Sequence, residues 1–280
     1  MLLNHHTHSI YSDGNSQPEE YVRQAISLGF DFLGFTEHSP LPFDNTFSFK
    51  RSGKEEYLRL IGDLKSKYRD QIELALGMEF DFIPGISEDF EAVQEEFKLD
   101  YSIGSVHLVG SGLKENLWFI DGARAEIYDE GLELFYGGDI RKAVKAYYKQ
   151  VNEMIQTQKF DIIGHLDKIK MHNRGRYFSE TDSWYLSLVA ETLQLIREKG
   201  TIVEVNTRGI YKKRSDTTYP GPAILTQISQ LGIPIMINSD AHQPQELDGA
   251  MGVALQLVKD NGIREMVKYT NQGWQYYSIQ

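Results

Sequence analysis

The chain has 280 residues, of which 41% are hydrophobic and 25% charged, and its formal net charge is −11. This acidity disfavours a nucleic-acid backbone as the main partner. No run reaches the roughly 18 apolar residues that a membrane span needs, and the absence of cysteine excludes disulfides and thiolate metal sites. The first residues lack the basic and apolar regions of a secretion signal, so we expect a cytoplasmic enzyme.

Seven short runs of apolar residues predict strands, and helical patterns lie between most of them. The strand candidates lie near residues 2–5, 32–36, 72–79, 101–107, 161–165, 201–206 and 234–238. The helix candidates run from Pro18 to Gly29 and over 55–68, 140–157, 184–199 and 222–231. Such alternation indicates βα units and a parallel sheet. Because polar residues gather at the ends of so many strands, we predict an α/β fold that forms a closed or nearly closed barrel.

The segments outside these elements give no sign of a second domain. No linker, low-complexity run or internal repeat interrupts residues 1–280, and we expect one domain. The largest irregular stretch, 108–139, is expected to cover an active site, as long insertions after barrel strands often do. The tail, 268–280, is expected to be a closing strand or a packing segment.

Six of the seven strand candidates present a histidine, aspartate or glutamate at or just past their C-terminal ends. His6 and His8 are two residues apart, so both can point to one side of an extended segment and reach one ion. His5 alternates away from them and is expected to face the helices. Glu79 has two carboxylate oxygens and can bridge two ions. The predicted metal ligands are His6, His8, Asp13, His38, Glu79, His107, His165, Asp240 and His242.

Each of these residues also has an ordinary structural interpretation. Asp13 fits a turn, Glu79 fits a buried salt bridge, and His107 or His165 alone would more often belong to a core. Independent structural roles would not place such residues at the ends of so many strands. The joint pattern therefore favours one polynuclear metal site at the mouth of a barrel. Nitrogen and oxygen ligands without thiolates suit zinc first, and also manganese or iron.

Two basic loops follow strand candidates that end at His165 and Asn206. They are either solvated charged loops or an anion clamp, since arginine forks match pairs of phosphate oxygens. The predicted substrate-binding residues are Arg174, Arg176, Arg208 and Lys212. The sequence contains no Walker loop, no His-Glu-x-x-His and no Gly-x-Ser-x-Gly, so nucleotide-loop and serine-hydrolase functions lack support.

The order of these motifs resembles one known family. The chain carries His6-Thr7-His8, Asp13, Thr36-Glu37-His38, Gly77-Met78-Glu79, Gly104-Ser105-Val106-His107, Gly164-His165 and Ser239-Asp240-Ala241-His242. This set is similar to that of the PHP (polymerase and histidinol phosphatase) superfamily, and most of all to its stand-alone histidinol-phosphatase branch. The resemblance spans residues 2–242 and implies a distorted (β/α)₇ TIM-like barrel with a trinuclear centre of three divalent metal ions.

The resemblance also implies how the ligands divide among the ions. The first ion would be held by His6, His8, Glu79 and Asp240. The second would be held by Glu79, His107 and His165, with Glu79 as the bridge. The third would be held by Asp13, His38 and His242.

The resulting hypothesis is that the chain hydrolyses L-histidinol phosphate, a step of histidine biosynthesis, to histidinol and phosphate. A metal-bridging hydroxide would attack phosphorus in line. The leaving alkoxide would be stabilised by a metal or protonated by Asp240 or His242, the predicted catalytic residues. The alternatives are a phosphoesterase acting on another small phosphate ester or nucleotide, an amidohydrolase, or a non-catalytic metal-binding module. The sequence leaves the oligomeric state open.

Overall fold

The structure is a computed structural model that describes residues 1–270 and 272–279. The strands are β1 (Leu3–Asn4), β2 (Phe32–His38), β3 (Glu73–Asp81), β4 (Tyr101–Ser105), β5 (Leu108–Val109), β6 (Trp118–Phe119), β7 (Ile162–Ile163), β8 (Ile202–Asn206), β9 (Ile235–Asn238), β10 (Glu265–Thr270) and β11 (Gly273–Ser278). The helices are α1 (Pro18–Leu28), α2 (Lys54–Tyr68), α3 (Phe90–Phe97), α4 (Ala125–Tyr136), α5 (Ile140–Thr157), α6 (Ser183–Lys199), α7 (Arg208–Tyr211), α8 (Pro222–Leu231) and α9 (Met251–Asp260). In these residues we find no helix with the length and apolar character required to cross a bilayer.

Among the described residues, seven strands form one parallel sheet in the order β1-β2-β3-β4-β7-β8-β9. Its two outer strands, β1 and β9, approach each other along a line that we call the seam. Thr7 and Ala241 form a parallel bridge there, and the side chains of Asn4 and Ser239 are hydrogen bonded across it at 2.9 Å. The sheet is therefore nearly closed, which confirms the predicted α/β, TIM-like barrel.

The predicted helices have the expected bounds because their end signals are strong. Pro18 begins α1, and Gly29 ends it in the left-handed conformation with φ 76°. The predictions for α2, α5, α6 and α8 each agree with the structure to within one residue. The interpretation of 108–139 as irregular is wrong, since this segment contains the β5-β6 hairpin and the helix α4.

The end of the barrel at which the strands begin is filled by apolar side chains. They are Phe32, Ala75, Tyr101, Ile103, Ile162, Ile202, Met236 and Val267. The hairpin of β10 and β11 packs Tyr269 and Trp274 against them, so the tail is a packing hairpin. Asn271 and Gln280, which fall within the predicted tail, lie outside the described residues.

His5 contradicts the prediction that it faces the helices. Its ring stacks on Phe32, with 4.4 Å between the ring centroids, and lies 6.0 Å from Trp274. It therefore belongs to the apolar filling inside the barrel. The reason is that β1 ends at Asn4, so the alternation of an extended strand does not continue through the residues that follow.

Candidate metal centre

All nine predicted ligands gather at the C-terminal ends of the parallel strands. His38 is the last residue of β2, and Glu79 lies near the end of β3. His107, His165 and Asp240 each lie two residues beyond the end of their strand. The parallel arrangement brings these ends to one rim, where residues distant in sequence can meet.

The first ligand set is a compact group of four side chains. His6 Nε2 and His8 Nε2 are 3.0 Å apart. Glu79 Oε2 lies 3.2 Å and 3.4 Å from these two nitrogens, and Asp240 Oδ1 lies 3.8 Å and 3.5 Å from them. These spacings fit the edges of about 3.4 Å that follow from tetrahedral bonds of about 2.1 Å to zinc.

The second set uses the other oxygen of Glu79. Glu79 Oε1 lies 2.9 Å from His165 Nε2 and 3.5 Å from His107 Nε2. The two imidazole nitrogens are 3.0 Å apart. The carboxylate thus faces one ligand set with each of its oxygens, as a bridging ligand would.

The third set lies beside the first and is more open. Asp13 Oδ1 lies 3.2 Å from His242 Nε2, 3.7 Å from His38 Nε2 and 3.9 Å from His8 Nδ1. Its separations are wider, and Asp13 is about one-third exposed.

The contacts that these donor atoms make are those expected at sites for divalent ions. In two pairs of imidazole rings, the facing nitrogens are 3.0 Å apart. At this distance only one nitrogen of each pair can carry a proton. Asp13 Oδ1 is buried and faces the ring nitrogens of His242, His38 and His8. Asp240 adopts a left-handed backbone with φ 54°, a conformation that is uncommon outside glycine and that aspartate tolerates better than most residues.

Two buried carboxylates that sequence reasoning missed hold the ligand rings in place. Glu204 Oε1 lies 2.6 Å from His6 Nδ1, and Asp81 Oδ1 contacts His107 Nδ1. Burial raises the pKa of Asp81, but the charges and hydrogen bonds of His107 and His38 outweigh it and lower that pKa to about 2. The signal for Asp81 was available, because it stands two residues after Glu79 and so on the same face of β3.

Buried carboxylates also determine whether the imidazoles of this centre are charged. Burial lowers the pKa of His107, but Asp81, Asp121 and Glu79 outweigh burial and raise it to about 9. The pKa of His38 is raised to about 10 in the same way, against burial, by Glu79, Asp13 and Asp81. Without ions, these two rings carry protons at neutral pH.

A cavity of about 210 Å³ opens directly onto the ligands. Phe47, Phe119 and Asp121 form part of its wall, and Lys168 and Arg208 bring positive charge to it. Lys168 is only 4% exposed, and its Nζ lies 3.4 Å from Asp121 Oδ2 and 4.0 Å from Asp240 Oδ2. The cavity therefore combines metal-type ligands, a buried cation and an aromatic wall.

The predicted anion-binding residues differ in where they lie. Arg208 lines the cavity, and its Nη1 donates to the Asp240 carbonyl at 2.7 Å. Arg176 pairs with Asp129 on the surface at 2.7 Å, Lys212 pairs with Glu246, and Arg174 is exposed. These last three are not among the residues that line the cavity. Lys168, in the same basic loop as Arg174, was not singled out by the sequence.

The fold and this site define an α/β barrel whose strand ends converge on a cluster of metal-ligand side chains. The sequence profile of the PHP domain matches residues 4–208. The chain belongs to the PHP domain family.

Individual relatives agree with this assignment. A Deinococcus radiodurans protein named "Probable histidinol-phosphatase" is 30% identical over 94% of this chain and 95% of its own length. A crystal structure from Listeria monocytogenes, described as a "putative histidinol phosphatase", has a TM-score of 0.77 at 25% identity and covers 90% of this chain and 99% of its own. The histidinol phosphate phosphatase of Lactococcus lactis, crystallised with zinc, L-histidinol and phosphate, has the same fold, with a TM-score of 0.68 at 22% identity over 98% of both chains.

Proposed function

We propose that this chain is a metal-dependent phosphomonoesterase that hydrolyses L-histidinol phosphate to histidinol and phosphate. The observation that carries the proposal is Glu79, whose two oxygens face two ligand sets at the floor of a cavity that also holds Lys168 and Arg208. The name of the Deinococcus relative, which matches nearly the whole chain, supports histidinol phosphate as the substrate. We expect the reaction to take place in the cytoplasm.

We further propose that the centre takes three divalent ions, zinc before manganese or iron. Their ligands would be the three sets described above, with one oxygen of Glu79 facing the first set and the other facing the second. Divalent ions in such a centre lower the pKa of water and polarise phosphoryl oxygens.

The residues of the chain would orient the substrate around that chemistry. Lys168 and Arg208 would hold phosphoryl oxygens, because both are cations on the cavity wall and both lie close to Asp240. Asp240 or His242 would take up the proton that the attacking water loses and pass it to the leaving alkoxide. Arg174, Arg176 and Lys212 lie off the cavity wall, so the proposal for phosphate binding rests on Arg208 and Lys168.

The segment 108–139 would cover the amine and imidazole end of the substrate. Phe119, Asp121, Gly122 and Ala123 of this segment line the cavity. Asp121 Oδ1 is buried and, within the described chain, has no hydrogen-bond partner. We propose that Asp121 pairs with the cationic amine end of histidinol, while Phe119 packs against its ring.

The test is phosphate release from L-histidinol phosphate by protein purified with its metal retained. Glu79→Gln should lose more than the roughly 10–100-fold that partners outside the coordination sphere typically cost. Asp161→Asn is the matched control, since Asp161 is a carboxylate at the opposite end of the barrel that accepts from Ser102 N at 2.9 Å. Equal rates in wild type and Glu79→Gln would rule the proposal out. A parallel panel of sugar phosphates and nucleoside monophosphates tests the substrate separately.

A further inference from the structure

Arg208 makes an unusual contact with one of the proposed ligands. Its Nη1 lies 2.6 Å from His242 Nδ1 and donates to the carbonyl of Asp240 at 2.7 Å. Arg208 is largely buried, with 12% of its side chain exposed. The guanidinium therefore sits behind the ring of His242, on the side away from Asp13.

This contact favours one position for the proton of His242. Arginine has only N–H donors, so Nδ1 must accept from Arg208 through its lone pair. In a neutral imidazole the proton is then on Nε2, which lies 3.2 Å from Asp13 Oδ1. Nε2 is the nitrogen that faces the third ligand set, so this arrangement occupies the lone pair that an ion needs.

The rings of the other two sets have the opposite arrangement. His6 Nδ1 faces Glu204, and His107 Nδ1 faces Asp81. A carboxylate accepts a proton from Nδ1, so that once Nε2 has lost its own proton its lone pair faces the ion, which is the usual support of a metal-bound histidine. His242 could reach the same state, because the carbonyl of Asp240 lies 3.1 Å from its Nδ1, but only if Arg208 moves away.

We propose that Arg208 and a cation at Asp13, His38 and His242 compete for His242, so that this third ion is held much more weakly than the other two. The inference rests on the proposed metal centre. Partners outside the coordination sphere change metal affinity by roughly 10–100-fold, and we expect the third ion to be weaker than the first two by at least about tenfold. The chain thus holds two ions tightly and exchanges the third.

The experiment measures zinc bound per chain while a chelator of graded strength is titrated against the zinc-loaded protein. Wild type should lose one zinc at a distinctly lower chelator concentration than the other two. In Arg208→Gln the loss of the third zinc should shift by about tenfold toward that of the others. Arg214→Gln is the matched control, because Arg214 is another arginine of the same cavity wall and its loss removes the same charge. It should behave as wild type.

A second measurement covers the case in which Arg208→Gln fails to fold. Nitrogen-15 NMR of the metal-free wild type should show His242 protonated on Nε2, whereas His6 and His107 should carry a proton on Nδ1. Three zinc ions of equal affinity in wild type, a His242 protonated on Nδ1, or equal shifts in both arginine variants would overturn the competition while leaving the metal centre intact. Failure to bind any zinc would instead remove the proposed function.

Discussion

At the residue scale, Glu204 acts on the centre without facing the cavity. It contacts His6 Nδ1, accepts from His165 N at 2.9 Å, and accepts from the side chains of Asn206 and Asn238 at 3.0 Å. It thus fixes the ring of one ligand and the backbone of another. We predict that Glu204→Gln lowers zinc affinity at the first ligand set by about 10–100-fold, measured by chelator competition.

Asp161→Asn serves again as the control for this prediction, because it removes a carboxylate charge from the other end of the barrel. It should leave zinc affinity unchanged. If Glu204→Gln binds zinc as tightly as wild type, the orienting role assigned to Glu204 is wrong.

The raised pKa values of the histidines make ion binding depend on pH. Burial lowers the pKa of His6, but Glu204, Glu79 and Asp240 outweigh burial and raise it well above its usual value. His38 and His107 have pKa values of about 10 and about 9. At pH 7 these three rings hold protons that they must lose to become ligands, so zinc affinity should increase with pH up to that range and decrease in acid.

Calorimetry of zinc binding at pH 7 in two buffers of different ionisation enthalpy checks this prediction. We expect the measured heat to differ between the buffers, because protons leave the imidazoles as zinc binds. Identical heats would mean that the histidines are already neutral in the metal-free protein.

Most of the proposed ligands could be predicted from the sequence because they stand at or just past a strand end, a position that the hydrophobic pattern locates. Asp13 does not, since it lies in the turn between β1 and α1. Glu204 could not be predicted, since its role depends on a hydrogen bond to His6 from a strand far along the chain. The sequence also does not show which of Lys168 and Arg174 lies in the cavity. Both belong to one basic loop, and only the path of that loop decides which cation is buried.

At the scale of elements, α4 is fixed by a close approach between Gly131 and Trp118. A methyl group on Gly131 would lie 2.0 Å from Trp118 Cδ1, and Trp118 is fully buried. Gly131→Ala should therefore displace α4 and reduce the free energy of unfolding by about 1–3 kcal/mol. Because Phe119 and Asp121 follow Trp118 and line the cavity, we also expect a higher KM.

Gly62→Ala is the matched control, in the interior of α2. Apart from the neighbouring backbone of α2 itself, a methyl group there would meet no atom of the described residues within 4 Å. The free energy of unfolding of this variant should therefore increase by roughly 0.5–1 kcal/mol. Urea unfolding of both variants gives the comparison. A Gly131→Ala protein as stable as wild type would show that α4 does not depend on this contact.

The helix α4 also shows where sequence patterns fall short. The helices α1 and α8 are bounded by proline and glycine signals, and their limits could be predicted. The N-cap of α4 is Arg124, which is not one of the preferred capping residues, so no start signal marks it. Its packing against Trp118 decides its position, and that contact is not visible as a local pattern.

At the scale of the whole molecule, the first ligand set spans the seam. His6 and His8 follow β1, whereas Asp240 follows β9. Few main-chain hydrogen bonds cross here, among them His8 N to the Ala241 carbonyl at 2.9 Å. An ion bound by both sides would join the two outer strands, so its removal should weaken the seam most.

We predict that a chelator lowers the thermal unfolding temperature, since a ligand at 1,000 times its Kd stabilises a fold by about 4 kcal/mol. Hydrogen exchange should increase most in residues 3–8 and 235–242. The strand β2, which is paired on both sides, is the internal reference. Uniform acceleration over all strands would contradict a special role for the seam.

The seam also has a consequence for when the protein can acquire zinc. Asn4 and Ser239, which meet across it, are 235 residues apart in the chain. During translation, Asp240 emerges long after His6 and His8. The first ligand set cannot assemble on the ribosome until the chain has been made as far as β9 and the residues just beyond it. Metallation is then a late step of maturation, and the ions available to the finished chain decide which metal it receives.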